Sequence, residues 1–298
     1  MPPLARLLFL LLALPLAHAQ SRIDCSALPS RVLKQQVHYC VMLPAGYDAA
    51  VARHPARQYP VLYFLHGLGD NEQTLIKSGG WNLVEDLRQQ HKIGDFLIVA
   101  PEGRDTFYIN SADGRVRYSD FFLTEFMPYI EHKYSIQRSR RTRGISGVSM
   151  GGYGALRFAF AHPELFGSVS AESAALFVWQ GAEGARLQKQ LGQVLGGVFG
   201  NPVNRVHWKE NDPIALARKN QARIRGMLIY LNCGRNDDYG FETGAEALHK
   251  ELDAERVPHE FHLYPGNHGA AYFLAHLDEL MKFHSRAFDA TPAQTLRP

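Results

Sequence analysis

A mostly parallel β-sheet covered by helices on both faces is the fold class this sequence predicts, and three observations carry the prediction. Short continuous apolar runs alternate with longer amphipathic stretches along most of the chain. One of those runs passes through a Gly-x-Ser-x-Gly turn, Gly147 to Gly151, into a helical stretch. The composition, 46% hydrophobic and 20% charged over 298 residues, supplies enough apolar residues for one large core.

The first residues read as an export signal. Arg6 gives a short positive region, Leu7 to Leu16 form an apolar run of about ten residues, and Ala17-His18-Ala19 supplies a cleavage site. The expectation is a signal peptide over 1–19 and a mature single domain over 20–298, periplasmic or secreted. About ten apolar residues is half of what a bilayer span needs, and no later segment is long and apolar enough, so no membrane span is expected after signal removal. Cys25 and Cys40 stand just inside the mature chain and can pair in an oxidising compartment. Cys233 is left over and reads as a buried thiol at a strand end.

Strands are expected at Val37–Leu43, which alternates and reads as antiparallel, then at Pro60–Leu65, Phe96–Ala100, Arg143–Val148, Phe166–Ala171, Met227–Leu231 and Glu260–Tyr264. Helices are expected at Trp81–Gln90, Ser119–Lys133, Gly151–Ala161, Glu242–Glu255 and Ala270–Phe288. Between Ala174 and Asn220 no buried strand is evident, and a cap or substrate-lining insertion fits there as well as a plain surface excursion. A net charge of +3 does not point to a nucleic-acid partner. The basic run Arg138 to Arg143 reads as a solvated turn before a buried strand. The fourteen histidines show no paired metal-ligand spacing and no glycine-rich phosphate loop is present, so neither metal nor cofactor is expected.

The chemistry centres on Ser149. In a Gly-x-Ser-x-Gly elbow a strand turns sharply into a helix, the serine is held in a strained conformation above the sheet, and side chains at the flanking glycines would strike backbone. Serine needs a base, and the base an acid, and in an α/β-hydrolase fold both follow the serine in the order acid, then histidine. After the strand at 227–231 comes Asn232-Cys233-Gly234-Arg235-Asn236-Asp237-Asp238, where Asp237 is the expected acid and Asp238 the alternative. After the last strand comes Pro265-Gly266-Asn267-His268-Gly269, where His268 is the expected base. His262 lies within the strand, and His276 and His284 on the final helix are expected to be partly exposed. The oxyanion is expected to meet the backbone N–H groups of Met150 and Leu68. His66 precedes Ser149 in the chain and reads as a residue that orients the 66–69 loop.

These segments resemble the esterase family that includes esterase D, feruloyl and acetyl-xylan esterases, enterochelin esterases and mycolyltransferases. The resemblance runs from Val37 to Phe288 and rests on Leu43-Pro-x-Gly-Tyr47, His66-Gly67 with Gly80-Trp81, Gly-x-Ser149-Met-Gly-Gly, Cys233-Gly-x-x-Asp237 and Gly266-x-His268. It implies that the last Asp of Cys-Gly-x-x-Asp carries the acid role, and that Leu68 and Met150 form the oxyanion hole. His66 and Gly69 stand where mycolyltransferases carry an acidic residue and an arginine, which argues against mycolyl transfer to a sugar. The function expected is hydrolysis of a small-molecule or carbohydrate-linked carboxylic ester through an acyl-serine. Acyl transfer, an S-formylglutathione hydrolase-like thioesterase and a catalytically silent binding protein are the alternatives. The sequence leaves the oligomeric state open.

Overall fold

The structure is a computed structural model, and it describes residues 21–177 and 192–289. The signal-like segment and residues 178–191 of the 174–220 excursion lie outside that range.

Eight strands form one sheet: β1 (Arg22–Ser30), β2 (Gln35–Leu43), β3 (Val61–Leu65), β4 (Leu97–Pro101), β5 (Arg143–Val148), β6 (Ser168–Glu172), β7 (Leu228–Gly234) and β8 (Glu260–Tyr264). Their order is β1-β2-β4-β3-β5-β6-β7-β8. The pairs β1–β2 and β2–β4 are antiparallel and the rest are parallel. All seven expected strands form, most of them within two residues at each end; β7 runs three residues past the expected Leu231. β1 was not anticipated. It is an edge strand with exposed and half-buried residues over most of its length, so it lacks the apolar signature of the others. Cys25 faces Cys40 in the β1–β2 ladder and the two form a disulfide. Closing a loop of that size stabilises by about 3 kcal/mol in the chain-entropy view.

The apolar runs are continuous because both faces of the central strands are covered. Val61, Tyr63 and Leu65 of β3 enter one core, whereas Leu62 and Phe64 enter the other. The first, larger core receives α6 (Met150–Ala161), a helix whose residues are almost all buried. The second is closed by α3 (Gly80–Gln89) and α12 (Ala270–Asp289) through Val84, Leu87, Leu277 and Met281. Short helices α1 (Tyr47–Arg53) and α2 (Thr74–Lys77) lie on the connections flanking β3. The helix expected over 119–133 forms without interruption, as α4 (Tyr118–Phe121), a π-helical turn at Phe122–Phe126 and α5 (Met127–Lys133) in succession. α11 (Phe241–Ala254) joins β7 to β8.

The excursion between β6 and β7 is helical where it is described: α7 (192–199), α8 (Arg205–Asn211), α9 (Pro213–Lys219) and α10 (Gln221–Ile224). It rests on α6. Tyr153 of α6 donates its hydroxyl to the Asn211 carbonyl at 2.7 Å, and Phe199 meets Trp208 at 4.7 Å between ring centres. The basic run differs in part from a solvated turn. Arg138 and Arg141 are exposed, but Arg143 is buried and pairs in bidentate fashion with Glu131 at 2.7 and 2.9 Å, tying α5 to β5.

Candidate active site

The chain winds outward from β3, one way to β4 and the other way through β5 to β8, so the crevice above the strand C-termini opens near β5. Ser149 sits there, between β5 and α6, with φ 54° and ψ −118°. No non-glycine residue adopts that backbone without strain. The strain is imposed from both sides. A Cβ on Gly147 would lie 2.3 Å from the Gly151 backbone, and one on Gly151 would lie 2.0 Å from the Leu65 carbonyl oxygen. The Ser149 N–H donates to the Glu172 carbonyl at 2.9 Å, and its own carbonyl accepts from Ala175 N–H at 3.0 Å, fastening the elbow to the end of β6.

The loops after β7 and β8 bring two more side chains to this point. His268 Nε2 lies 2.9 Å from Ser149 Oγ, and His268 Nδ1 lies 2.7 Å from Asp237 Oδ2. With Nδ1 donating to the carboxylate, Nε2 is left as the acceptor facing the serine hydroxyl. The Asp237 side chain is fully buried. Its second oxygen, Oδ1, accepts from Tyr239 N–H at 3.0 Å and Phe241 N–H at 3.5 Å. Asp238 plays a different part, accepting the His268 backbone N–H at 3.1 Å through Oδ2. The rings of Tyr239, Phe241 and Phe273 meet the imidazole edge-on at 4.8, 5.3 and 5.2 Å. Those three aromatics were not singled out in the sequence, because nothing but the fold brings positions 239, 241 and 273 around one histidine.

The loop after β3 comes close to the elbow: a Cβ on Gly67 would lie 3.6 Å from Ser149 Cβ. Met150 is the first residue of α6, so its N–H has no carbonyl to meet within the helix. Among the described residues neither the Met150 nor the Leu68 N–H is engaged in a hydrogen bond. His66 is buried; its Nε2 accepts Gly103 N–H at 2.7 Å and its Nδ1 donates to Gly67 O at 2.8 Å. Burial pushes its pKa down. The neutral ring therefore pins the 66–69 loop to the residues after β4, which is the orienting role expected of it.

A cleft of about 570 Å³ opens beside His268. Its walls are mixed: Phe64, Leu75, Val148, Phe273, Leu274 and Leu277 supply apolar surface, and Asp70, Asn71, Lys77 and Glu172 are among the polar and charged groups. Glu172 is fully buried, its carboxyl oxygens have no hydrogen-bond partner among the described residues, and burial holds its pKa well above the usual range. A second histidine is also buried. His284 has no exposed surface, against the expectation of partial exposure. It lies 2.9 Å from both Ser168 Oγ and Ser170 Oγ, which are themselves buried in the middle of the sheet and closed to any substrate. The cause is Gly144, which leaves no side chain where the imidazole packs: a Cβ there would sit 2.7 Å from His284 Nδ1.

Comparison with known proteins agrees with this architecture. The family described as "Putative esterase" matches residues 30–284. An esterase of Mycobacterium tuberculosis is 26% identical over 249 residues, covering 76% of this chain and 51% of its own length, so the chain spans about half of that relative. An acetyl esterase of Caldicellulosiruptor saccharolyticus is 29% identical over 214 residues, 70% of this chain and 78% of that protein. A solved ferulic acid esterase superposes with a TM-score of 0.76 at 25% identity, over 90% of this chain and 99% of its own. With a family match over most of its length and the eight-stranded order set out above, the chain belongs to this esterase family and has the α/β-hydrolase fold.

Proposed function

We propose that the protein is an exported serine esterase that hydrolyses carboxylic esters through an acyl-Ser149 intermediate. The observation that carries the reading is the hydrogen-bonded series from Ser149 Oγ to His268 Nε2 and from His268 Nδ1 to Asp237, at 2.9 and 2.7 Å, on a strained elbow. Ser149 Oγ attacks the ester carbonyl carbon while its proton passes to His268 Nε2. The carbonyl π pair moves onto oxygen, and that oxyanion meets the N–H groups of Leu68 and Met150. Each such donor contributes about 3 kcal/mol to the transition state. Collapse of the tetrahedral species re-forms the carbonyl and breaks the bond to the alcohol, which leaves with the proton from His268. Water repeats the sequence on the acyl-enzyme, freeing the acid and restoring Ser149. Asp237 holds the ring in the tautomer that both half-reactions need.

The partly apolar cleft beside His268 supports a small or medium acyl group, and the acetyl and feruloyl esterases among the relatives support the same range. Export rests on the N-terminal segment, with the mature chain starting at Gln20. The test is turnover of p-nitrophenyl acetate, butyrate and octanoate and of a feruloyl ester, wild type beside Ser149→Ala. Activity lost in the variant bears the proposal out; equal turnover in both overturns it.

A further inference from the structure

At the end of the sheet remote from the Ser149 loops, where α11 ends and β8 begins, three side chains converge. His249 and Asp253 stand one turn apart on α11, and His259 lies in the short connection to β8. One ligand atom from each lies within 4.8 Å of the others. We propose that these residues form a divalent transition-metal site, best suited to Zn²⁺, that clamps the end of α11 to the start of β8.

The lone pairs of the two imidazoles point toward a shared space. His259 has its Nδ1 2.8 Å from the Val257 carbonyl, which can only accept, so Nδ1 carries the ring proton and Nε2 presents a lone pair. A histidine fixed by a backbone carbonyl through its other nitrogen is the usual arrangement behind a metal ligand. His259 Nε2 is 2.8 Å from His249 Nδ1. If His249 donates there, its own Nε2 directs a lone pair at Asp253 Oδ2, 3.5 Å away, so two acceptors face each other. A cation removes that conflict: it takes the Nδ1 lone pair of His249 in the other tautomer, whose Nε2–H then faces Asp253 Oδ2 as a donor. The geometry needs little change. With Zn–N near 2.0–2.1 Å, adjacent ligands of a tetrahedral ion stand about 3.3 Å apart. The nitrogens at 2.8 Å must part slightly, and Asp253 Oδ1, at 4.0 Å from His259 Nε2, must close slightly.

The ligands are also held or free in a useful pattern. The His259 side chain is 4% exposed and the His249 ring stacks on Phe261 at 4.4 Å, so both imidazoles are placed in advance. Asp253 is 63% exposed, which lets the carboxylate swing in and leaves a fourth position for water. Two nitrogens and one carboxylate favour Zn²⁺ over Mg²⁺ or Ca²⁺, which take oxygen ligands. No pairing of histidines in the sequence suggests the site, because its halves sit on different elements ten positions apart.

The test is equilibrium dialysis of the chelator-treated full chain against Zn²⁺, with Co²⁺ spectroscopy and thermal unfolding alongside. One bound equivalent is expected, with tetrahedral Co²⁺ bands and a higher Tm in Zn²⁺. Loss of an outer partner alone costs about 10–100-fold in metal affinity, so loss of a ligand should cost at least about tenfold. That weakening is expected in His259→Gln and in Asp253→Asn, the latter a surface change that leaves the fold intact. Binding should persist in His54→Ala, an exposed histidine elsewhere, and in His268→Ala. Absence of binding, binding that is unweakened in Asp253→Asn, or binding that disappears in His268→Ala overturns the proposal.

Discussion

Replacing Asp237 with asparagine isolates one hydrogen bond of the proposed mechanism. Asp237 Oδ1 accepts two backbone N–H groups, from Tyr239 and Phe241. An asparagine must keep its oxygen there, since an amide NH₂ cannot accept. Its NH₂ then faces His268 Nδ1 at the place of Oδ2, 2.7 Å away. Two donors cannot share that contact, so the ring proton moves to Nε2, where it meets Ser149 Oγ and the base is lost. The expected loss in kcat is about 10⁴-fold, the size of the tautomer effect in serine proteases, or about 5.5 kcal/mol. Asp238→Asn is the control. Its Oδ2 accepts the His268 backbone N–H, which an amide oxygen accepts as well, so a change below about threefold is expected. The assay is steady-state hydrolysis of p-nitrophenyl acetate, with circular dichroism to verify folding. If Asp237→Asn keeps more than about a tenth of kcat while Asp238→Asn loses activity, the assignment of the acid is wrong.

Two further outcomes follow from packing and burial. Gly151→Ala would put a Cβ 2.0 Å from the Leu65 carbonyl, so the elbow must open and activity should fall below about 1%; Gly269→Ala, with 3.6 Å to its nearest neighbour, should retain activity. Comparable activity in the two variants would contradict the tight elbow. Desolvation pushes the His284 pKa down to about 3. The unfolded chain therefore binds a proton below about pH 6.5 that the fold refuses, and this contribution to stability is full above pH 6.5 and declines toward pH 3 by about 1.4 kcal/mol per unit. Glu172 has the opposite sign. Burial raises its pKa, so the fold keeps a proton that the unfolded chain releases above about pH 4.3, and stability falls as pH rises. The two slopes oppose each other between about pH 4.5 and 6.5. Over that window urea unfolding of Glu172→Gln should gain stability with rising pH relative to wild type, and His284→Gln should lose it; unchanged slopes in either variant would refute the burial argument.

The parallel strands were legible because burial on both faces leaves continuous apolar runs, as in Pro60–Leu65. The grouping of Ser149, Asp237 and His268 into one candidate site was legible because the elbow, the Cys233-Gly-x-x-Asp237 segment and the Gly266-x-His268 loop each follow a strand. β1 was not, since an edge strand with one protected face carries little apolar signal. The helices after β6 escaped because they are short and owe their stability to packing on α6. Their starts were nevertheless written in the chain: Asn204 caps Val206 and His207, and Asp212, followed by Pro213, caps Ile214 and Ala215. The burial of His284 depended on a glycine 140 positions earlier, Gly144, which no local pattern connects to it. Glu172 reads in sequence as a strand-end carboxylate; its isolation appears only when β5, β7 and α12 close around it.

The central claim is that Ser149 carries the acyl group, and the most direct measurement is mass spectrometry of the full chain after reaction with a fluorophosphonate and, separately, with a slowly deacylating p-nitrophenyl ester. One adduct per chain is expected, on the peptide containing Ser149, absent in Ser149→Ala and strongly slowed in His268→Ala. An adduct on another residue, or ester turnover that persists in Ser149→Ala with no adduct formed, would contradict it.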